Sequence, residues 1–372
     1  TVLRPSLAAA AEAETLADAI VAAFRRPLVA DGRELLVGVS IGAAVAPDDA
    51  DDAQALLRAA DSALFRAKEL GRNRAAVYTP ELYESAASRF RTEQALRRAI
   101  DGGEFELLYQ PQVQLQTLEV DAVEALLRWR RADGTLHSPV EFLQVAEQSG
   151  LIVPIGEWVL AAAAAAARRW ESGAWPAARI AINVSPQQFF DGGFVARVER
   201  TLRDTGLPPA CLEIELTESV VQTGAQTVAA LERLRALGVA LALDDFGTGY
   251  SSMTSLEKLP LSRVKLDRSL VSDVDRDARS AAIARSTIRL CHGLGLRVTA
   301  EGVERGAQVE WLLDCGPVEV QGWWFARPLT AAQVLPYRAD GAARAAELKR
   351  LLAGARSADV IEIPARRRRS RR

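Results

Sequence analysis

The chain has few of the residues that build the commonest functional sites. Its three cysteines, Cys211, Cys291 and Cys315, are widely spaced and odd in number, with no CxxC pair. That argues against both a disulfide framework and a thiolate zinc site. Two histidines, His137 and His292, are too few and too far apart for a histidine-built metal centre. No stretch is long and apolar enough to cross a bilayer, and no signal peptide is visible. The alanine run 161–167 lies between Trp158 and Arg168-Arg169 and reads as a tightly packed helix. Excess positive charge is missing too. The formal net charge is −2, and the last seven residues, "RRRRSRR", carry six arginines, so the rest of the chain stands at −8. A mildly acidic body argues against a nucleic-acid surface. Free cysteines fit a reducing, cytoplasmic setting. Thr1 is not an initiator methionine, so the natural start is expected upstream, where a sensor or membrane segment would make this the cytoplasmic part of an anchored protein.

What is present is an ample core: 49% hydrophobic and 25% charged residues across 372 positions suit one large domain plus a smaller piece. From residue 104 to 340, short apolar runs alternate with amphipathic stretches. The strand candidates are "FELLYQPQV", "VDAVEALLRW", "RIAINVS", "LEIELTE", "ALALDDF", "RVKLDR", "RVTAEGV" and "EVQGWWF". Helix-like segments such as "VARVERTLRDTG" and "AAIARSTIRLCHGLG" lie between the later ones, several ended by glycine. Alternation of this kind indicates a parallel α/β architecture, and eight strands is the number that closes a TIM-like (β/α)8 barrel. An open doubly wound sheet is the alternative, weakened because no GxGxxG follows the first strand. Residues 1–80 form a separate segment, with two strands in "RELLVGVSIGAAVAP" and a helix in "DAQALLRAADSALFRAKELG". A polar, helix-prone linker covers 81–103. Residues 341–372 read as a short helix and a basic, disordered tail.

In such a barrel, reactive residues gather at the C-terminal strand ends. Those ends carry Glu124, Asn183, Glu215 with Glu218, Asp244 with Asp245, Lys265 with Asp267, Glu301, and Gln321. Oxygen donors therefore recur around one rim, with a single lysine among them. Carboxylates crowded into one pocket stay ionised only if cations sit between them. Oxygen ligands without Cys or His favour hard ions, Mg2+ or Mn2+, and a pair of these is a standard device for cleaving phosphodiesters. Adjacent residues of a regular strand point to opposite faces. Asp244 and Asp245 can share a pocket only if the backbone turns at the strand end. Taken singly, each acid can equally be a helix cap or a surface charge.

The motifs "EALLRW", "YQPQ", "INVSPQQF", "EIELTES", "DDFGTGYSS", "KLDRSLV", "AEGVE" and "QGWWFARPL" occur in this order over roughly residues 84 to 338. In sequence and spacing they resemble the EAL family of cyclic di-GMP phosphodiesterases. The resemblance implies two Mg2+ or Mn2+ ions that activate a water for hydrolysis of cyclic di-GMP to linear pGpG. By motif position it implies Glu124, Asn183, Glu215, Asp244, Asp245 and Glu301 as metal ligands, with Asp245 as the bridge. Lys265 matches the lysine that contacts the attacking water and acts as base, and Asp267 the residue that orients it. Gln110 and Arg128 match residues holding the guanine and phosphate portions, and Gln321 falls within the metal-and-water cluster. Glu218 matches the glutamate that steadies the loop after Asp245 and links it to dimerisation, so a homodimer is implied. A catalytically silent cyclic di-GMP receptor is the alternative. Enolase-like proton abstraction is a third reading, drawn from the bare chemistry of acids, a lysine and Mg2+.

The first 80 residues resemble the C-terminal half of a GGDEF domain through "VSIGAAVAP", "AADSALFRAK" and "GRNR", without the signature turn. Lys68 and Arg72 fall where that family contacts nucleotide phosphates. A packed remnant without cyclase activity is the expectation.

Overall fold

The computed structural model describes residues 1–4, 11–30, 33–35, 37–221, 224–247, 256, 259–341 and 346. The expected basic tail, most of the segment 341–372 and the "TGYSS" stretch lie outside these residues. The chain divides into two compact units, Thr1–Leu96 and Arg97–Arg372.

In the first unit, helix α1 (Ala11–Phe24) precedes a hairpin of β1 (Leu28–Ala30) and β2 (Arg33–Leu35). Strand β3 (Ile41–Ala43) then pairs in parallel with β4 (Ala75–Val77) across helix α2 (Ala53–Glu69). Asp52 caps α2 by accepting from the Ala55 amide at 2.7 Å. Ala59, Ala63 and Ala67 recur every four residues and are buried, which gives α2 its inner face. Helix and strand come so close that a Cβ on Gly42 would lie 2.1 Å from the Ala60 carbonyl oxygen. Lys68 and Arg72 are both exposed. Helix α3 (Pro80–Gly102) follows, and the division between the units falls within it.

The second unit is a closed barrel. Its strands are β5 (Phe105–Gln114), β6 (Glu119–Arg130), β8 (Arg179–Val184), β9 (Leu212–Thr217), β10 (Ala240–Phe246), β11 (Arg263–Leu266), β12 (Arg297–Ala300) and β13 (Glu319–Val320). The ring closes through β13 on β5 and β5 on β6, and a two-residue strand, β7 (Leu136–His137), is added to β6. Six consecutive pairings, from β6 round to β13, are parallel. The all-parallel expectation fails at β5, which runs antiparallel to both neighbours. Only four residues separate β5 from β6, and the Leu118 amide closes that turn on the Gln114 carbonyl at 2.7 Å. A parallel return would need a crossover of about a dozen residues or more.

Helices α4 (Leu143–Gln148), α5 (Ile152–Glu171), α6 (Pro186–Phe190), α7 (Phe194–Thr205), α8 (Glu218–Val221), α9 (Ala225–Ala236), α10 (Arg268–Val271), α11 (Ala278–Gly293), α12 (Gly306–Leu313) and α13 (Ala331–Ala339) flank the strands. The alanine run lies in α5, where Ala163, Ala164, Ala166 and Ala167 are buried, and their small size lets α5 pack against β8. Outward residues such as Ile180, Ile182, Leu212 and Ile214 are fully buried beneath these helices. Each such side chain contributes about 1.5–3 kcal/mol. Among the described residues, no helix is long and apolar enough to cross a membrane.

The inward-facing residues are largely polar. At the N-terminal end of the barrel they form an ionic layer. The Arg263 Nε lies 3.1 Å from Glu213 Oε2, and its Nη1 lies 2.7 Å from Glu319 Oε2 and donates to Thr299 Oγ1 at 2.8 Å. Arg179 bridges the same two acids, at 2.6 Å to Glu319 and 3.5 Å to Glu213. Two guanidiniums and two carboxylates balance, which is what makes this depth tolerable to charge.

Candidate functional site

One layer nearer the C-terminal strand ends, the residues of opposite sign do not balance. Lys265 sits in the middle, 1% exposed. Its Nζ lies 2.6 Å from Glu215 Oε2, 2.6 Å from Glu301 Oε1, 3.2 Å from Asp244 Oδ1 and 3.5 Å from Glu124 Oε2. Strand alternation places them there: Glu213 and Glu215 are two apart on β9, as are Arg263 and Lys265 on β11, so each strand supplies one residue to each layer.

Glu124 is held from both sides. Asn183 Nδ2 donates to its Oε1 at 2.5 Å, and Gln321 Nε2 donates to its Oε2 at 2.6 Å. Gln321 Nε2 also donates to Gln110 Oε1 at 3.1 Å, and Gln110 Nε2 in turn donates to the Ala326 carbonyl at 3.1 Å. Gln110 reaches the site because the antiparallel hairpin sets it directly opposite Glu124.

Asp245 solves the problem of adjacent acids. Its φ is +55°, in the left-handed region, and the β10–β11 register shifts between Leu243 and Phe246. With the backbone turned there, carboxylate oxygens of Asp244, Asp245 and Glu301 come within 4.8 Å of one another. Left-handed backbone costs a non-glycine residue on the order of 1–2 kcal/mol, least for Asn and Asp. The Asp245 carboxyl is also pushed above the ordinary aspartate range, first by partial desolvation and then by Asp244 and Asp267. Asp245→Asn keeps a residue that tolerates this backbone and removes the charge. Its expected result is a thermal unfolding free energy about 0.5–1 kcal/mol above that of the parent, with weaker Mn2+ binding by calorimetry.

The shortage of positive charge shows in the carboxyl groups. Burial drives Glu215 well above the usual carboxylate range, opposed by Lys265 and reinforced by Glu124, Asp244 and Glu301. Burial likewise lifts Glu301, to about 8. Burial disfavours the charge on Lys265, but Asp244, Glu124, Glu215 and Glu301 outweigh it and hold the ammonium. Glu215 Oε1 is buried without a hydrogen-bond partner. Five carboxylates (Glu124, Glu215, Asp244, Asp245 and Glu301) face one ammonium, leaving four negative charges, the charge of two divalent cations. An all-oxygen donor set with an unpartnered buried carboxylate oxygen fits hard divalent ions.

These residues open into a cavity of about 310 Å³. Of the positions singled out from sequence, Gln110, Glu124, Asn183, Asp244, Lys265, Glu301 and Gln321 line it. Glu215 lies beneath, reached through Lys265. Glu218 accepts from the Gly247 amide at 3.3 Å, at the point where the chain leaves β10. Asp267 spends its Oδ1 on the Ser269 amide at 2.8 Å, capping α10, and is not among the acids on the Lys265 ammonium. Arg128 does not line the cavity; its Nη1 donates to the Leu127 carbonyl at 2.7 Å.

Sequence reasoning passed over Arg268, Glu304 and Trp323, which also line the cavity. "QGWWF" contains two tryptophans, and only strand-end geometry separates them: Trp324 is buried, whereas Trp323 is 56% exposed with the Arg327 guanidinium 4.8 Å from its ring centre. Gly322 makes the turn possible, since a Cβ there would lie 2.1 Å from the Val303 carbonyl oxygen.

Comparison with known proteins agrees with this geometry. The EAL domain model matches residues 93–328, and the model described as diguanylate cyclase, GGDEF domain, matches residues 1–74. The bifunctional diguanylate cyclase/cyclic di-GMP phosphodiesterase MucR of Pseudomonas aeruginosa is 38% identical over 87% of this chain and 48% of its own length. The cyclic di-GMP phosphodiesterase NbdA of the same organism is 36% identical over 89% of this chain and 43% of its own. The chain thus spans less than half of these relatives. A solved MucR phosphodiesterase in complex with c-di-GMP superposes with a TM-score of 0.63 at 40% identity, covering 66% of this chain and 99% of that one.

Proposed function

Since the chain belongs to the EAL-domain family, we propose that its barrel hydrolyses cyclic di-GMP to linear pGpG with the help of two Mg2+ or Mn2+ ions. In that reaction a water oxygen bonds to one phosphorus, the bond from phosphorus to the 3′ oxygen breaks, and that oxygen leaves with a proton as a hydroxyl. The observation that carries this reading is the convergence of five carboxylates on one buried lysine inside an open cavity. Glu124, Asn183, Glu215, Asp244, Asp245 and Glu301 would hold the ions, which when bound supply Lewis acidity toward the phosphodiester and a water of lowered pKa.

The chain's own groups do the rest. Asn183 and Gln321 fix the Glu124 carboxylate at both oxygens, so it is aimed before anything binds. Lys265 holds its proton at Nζ among four acids, so it acts here as a donor that orients oxygen ligands rather than as the base expected from sequence. Gln110 and Trp323 stand on the cavity wall, the first to hydrogen-bond a guanine edge, the second as an exposed ring on which a base can stack. Arg128 is one residue pair from the Glu124 level on β6 and is the nearby guanidinium for a phosphate. Glu218 ties the start of the following segment to β9 through Gly247, which is how a change at a dimer contact would reach Asp245.

The test is product analysis by chromatography. The purified chain with Mg2+ or Mn2+ should convert cyclic di-GMP to pGpG, lose that activity in chelator, and regain it when the ion is returned. Tight binding of cyclic di-GMP without product in either ion would instead favour the silent receptor.

A further inference from the structure

Gln112 is fully buried on β5, one layer deeper than Gln110, and no cavity wall includes it. Its Nε2 donates to Gln321 Oε1 at 3.2 Å. The chemistry of the neighbours dictates this arrangement. A carboxylate such as Glu124 can only accept, so the Gln321 atom facing it at 2.6 Å must be the NH2 group. The Gln321 oxygen then points the other way, into the barrel, and needs a donor there, since a buried carbonyl without one is costly. Gln112 is the donor. Rotating the Gln321 amide by half a turn would lose that bond and set an oxygen against the Glu124 carboxylate and against Gln110 Oε1.

We propose that Gln112 is a positioning residue: by holding the Gln321 oxygen it fixes which way the Gln321 amide faces, and so aims Glu124 and Gln110 at the cavity. This rests on the reading of Glu124 as a metal ligand. The relay runs from Gln112 through Gln321 to two residues on the cavity wall, and Gln112 touches neither ion nor substrate. Its own Oε1 is buried without a partner, so the side chain is retained for its donor end. Outer residues that orient a ligand are worth 10–100-fold in metal affinity or activity.

The experiment is a double-substitution cycle on the whole chain, read by Mn2+ calorimetry and by steady-state hydrolysis. Gln112→Met, of similar length but without a donor, should weaken Mn2+ binding and lower kcat about tenfold, with KM changed less than about twofold. Gln112→Asn, which keeps the amide but falls one methylene short, should show the same loss and covers the case in which the apolar variant does not fold. In a chain already carrying Gln321→Ala, the same change at Gln112 should do nothing more, because the relay is already cut. Additive effects of the two changes would mean that Gln112 merely fills space, and would overturn the proposal. So would unchanged Mn2+ affinity in both Gln112 variants while the parent binds normally. A parent chain that bound no Mn2+ would overturn the metal reading itself, and this inference with it.

Discussion

Replacing Lys265 with methionine should lower hydrolysis of cyclic di-GMP by about 10²–10³-fold, the range seen when one preorganised donor is removed from an active site. The same change should reduce unfolding free energy in chelator by about 3–5 kcal/mol. Methionine matches the length of the stem, so packing is not the main loss. What is lost is the one ammonium among Glu124, Glu215, Asp244 and Glu301, three of which lie within 3.2 Å of it. Removing one partner of a buried charge cluster strands the others, and Glu215 already has an oxygen with nothing to bond. Saturating Mg2+ or Mn2+ should narrow the stability gap to the parent. Each ion then binds a site with one more uncompensated charge, and tighter binding to the folded state adds stability as RT ln(1 + [L]/Kd). Hydrolysis should stay low. Chemical denaturation with and without ions measures this, and a gap that widened on adding ions would show that Lys265 is not counterbalancing those acids.

Arg263→Met should be the most damaging change outside the cavity. Arg263 is fully buried and contacts Glu213, Glu319 and Thr299. Without it, Arg179 alone faces two carboxylates at the base of the barrel. The expected cost is about 3–5 kcal/mol, or a melting temperature lower by roughly 6–20 °C at the usual 2–4 °C per kcal/mol for a unit of this size. Arg263→Met combined with Glu213→Leu removes opposite charges together and should be less harmful than Arg263→Met alone, since a neutral apolar replacement of a buried pair is often tolerated. Calorimetric melting of the two variants decides this. If the double variant melts lower than the single one, the layer is held by packing rather than by charge balance.

The strand ends were readable because their chemistry is repetitive: oxygen donors at the close of "EALLRW", "INVS", "EIELTE", "DDF" and "AEG" survive an error of a residue or two in the boundaries. The lower ionic layer was not. "LEIELTE" alternates acid and aliphatic, a pattern that ordinarily marks a strand with one face in water. Here both faces are buried, and Glu213 looks into the barrel toward Arg263 and Arg179. Only the closure of the ring brings those residues together from strands far apart in the chain. The direction of β5 was equally hidden, because a four-residue turn between two apolar runs is an ordinary hairpin, and the regular alternation further on favoured a parallel reading. The turn at Asp245 was anticipated as a necessity of two adjacent acids sharing a pocket. Its form, a left-handed residue inside a register shift, depends on neighbouring strands that a sequence does not display.

β13 contributes two residues, Glu319 and Val320, yet it is the keystone of the ring, pairing with β12 on one side and with Gln114 and Val113 on the other. Those partners on β5 lie some two hundred positions earlier. Until β13 arrives, β5 and β12 present open edges, so the nascent barrel is sticky along two seams while most of it is already made. Refolding of the isolated barrel is therefore limited by one late, long-range zipping event, and its rate should track that closure rather than the formation of any helix.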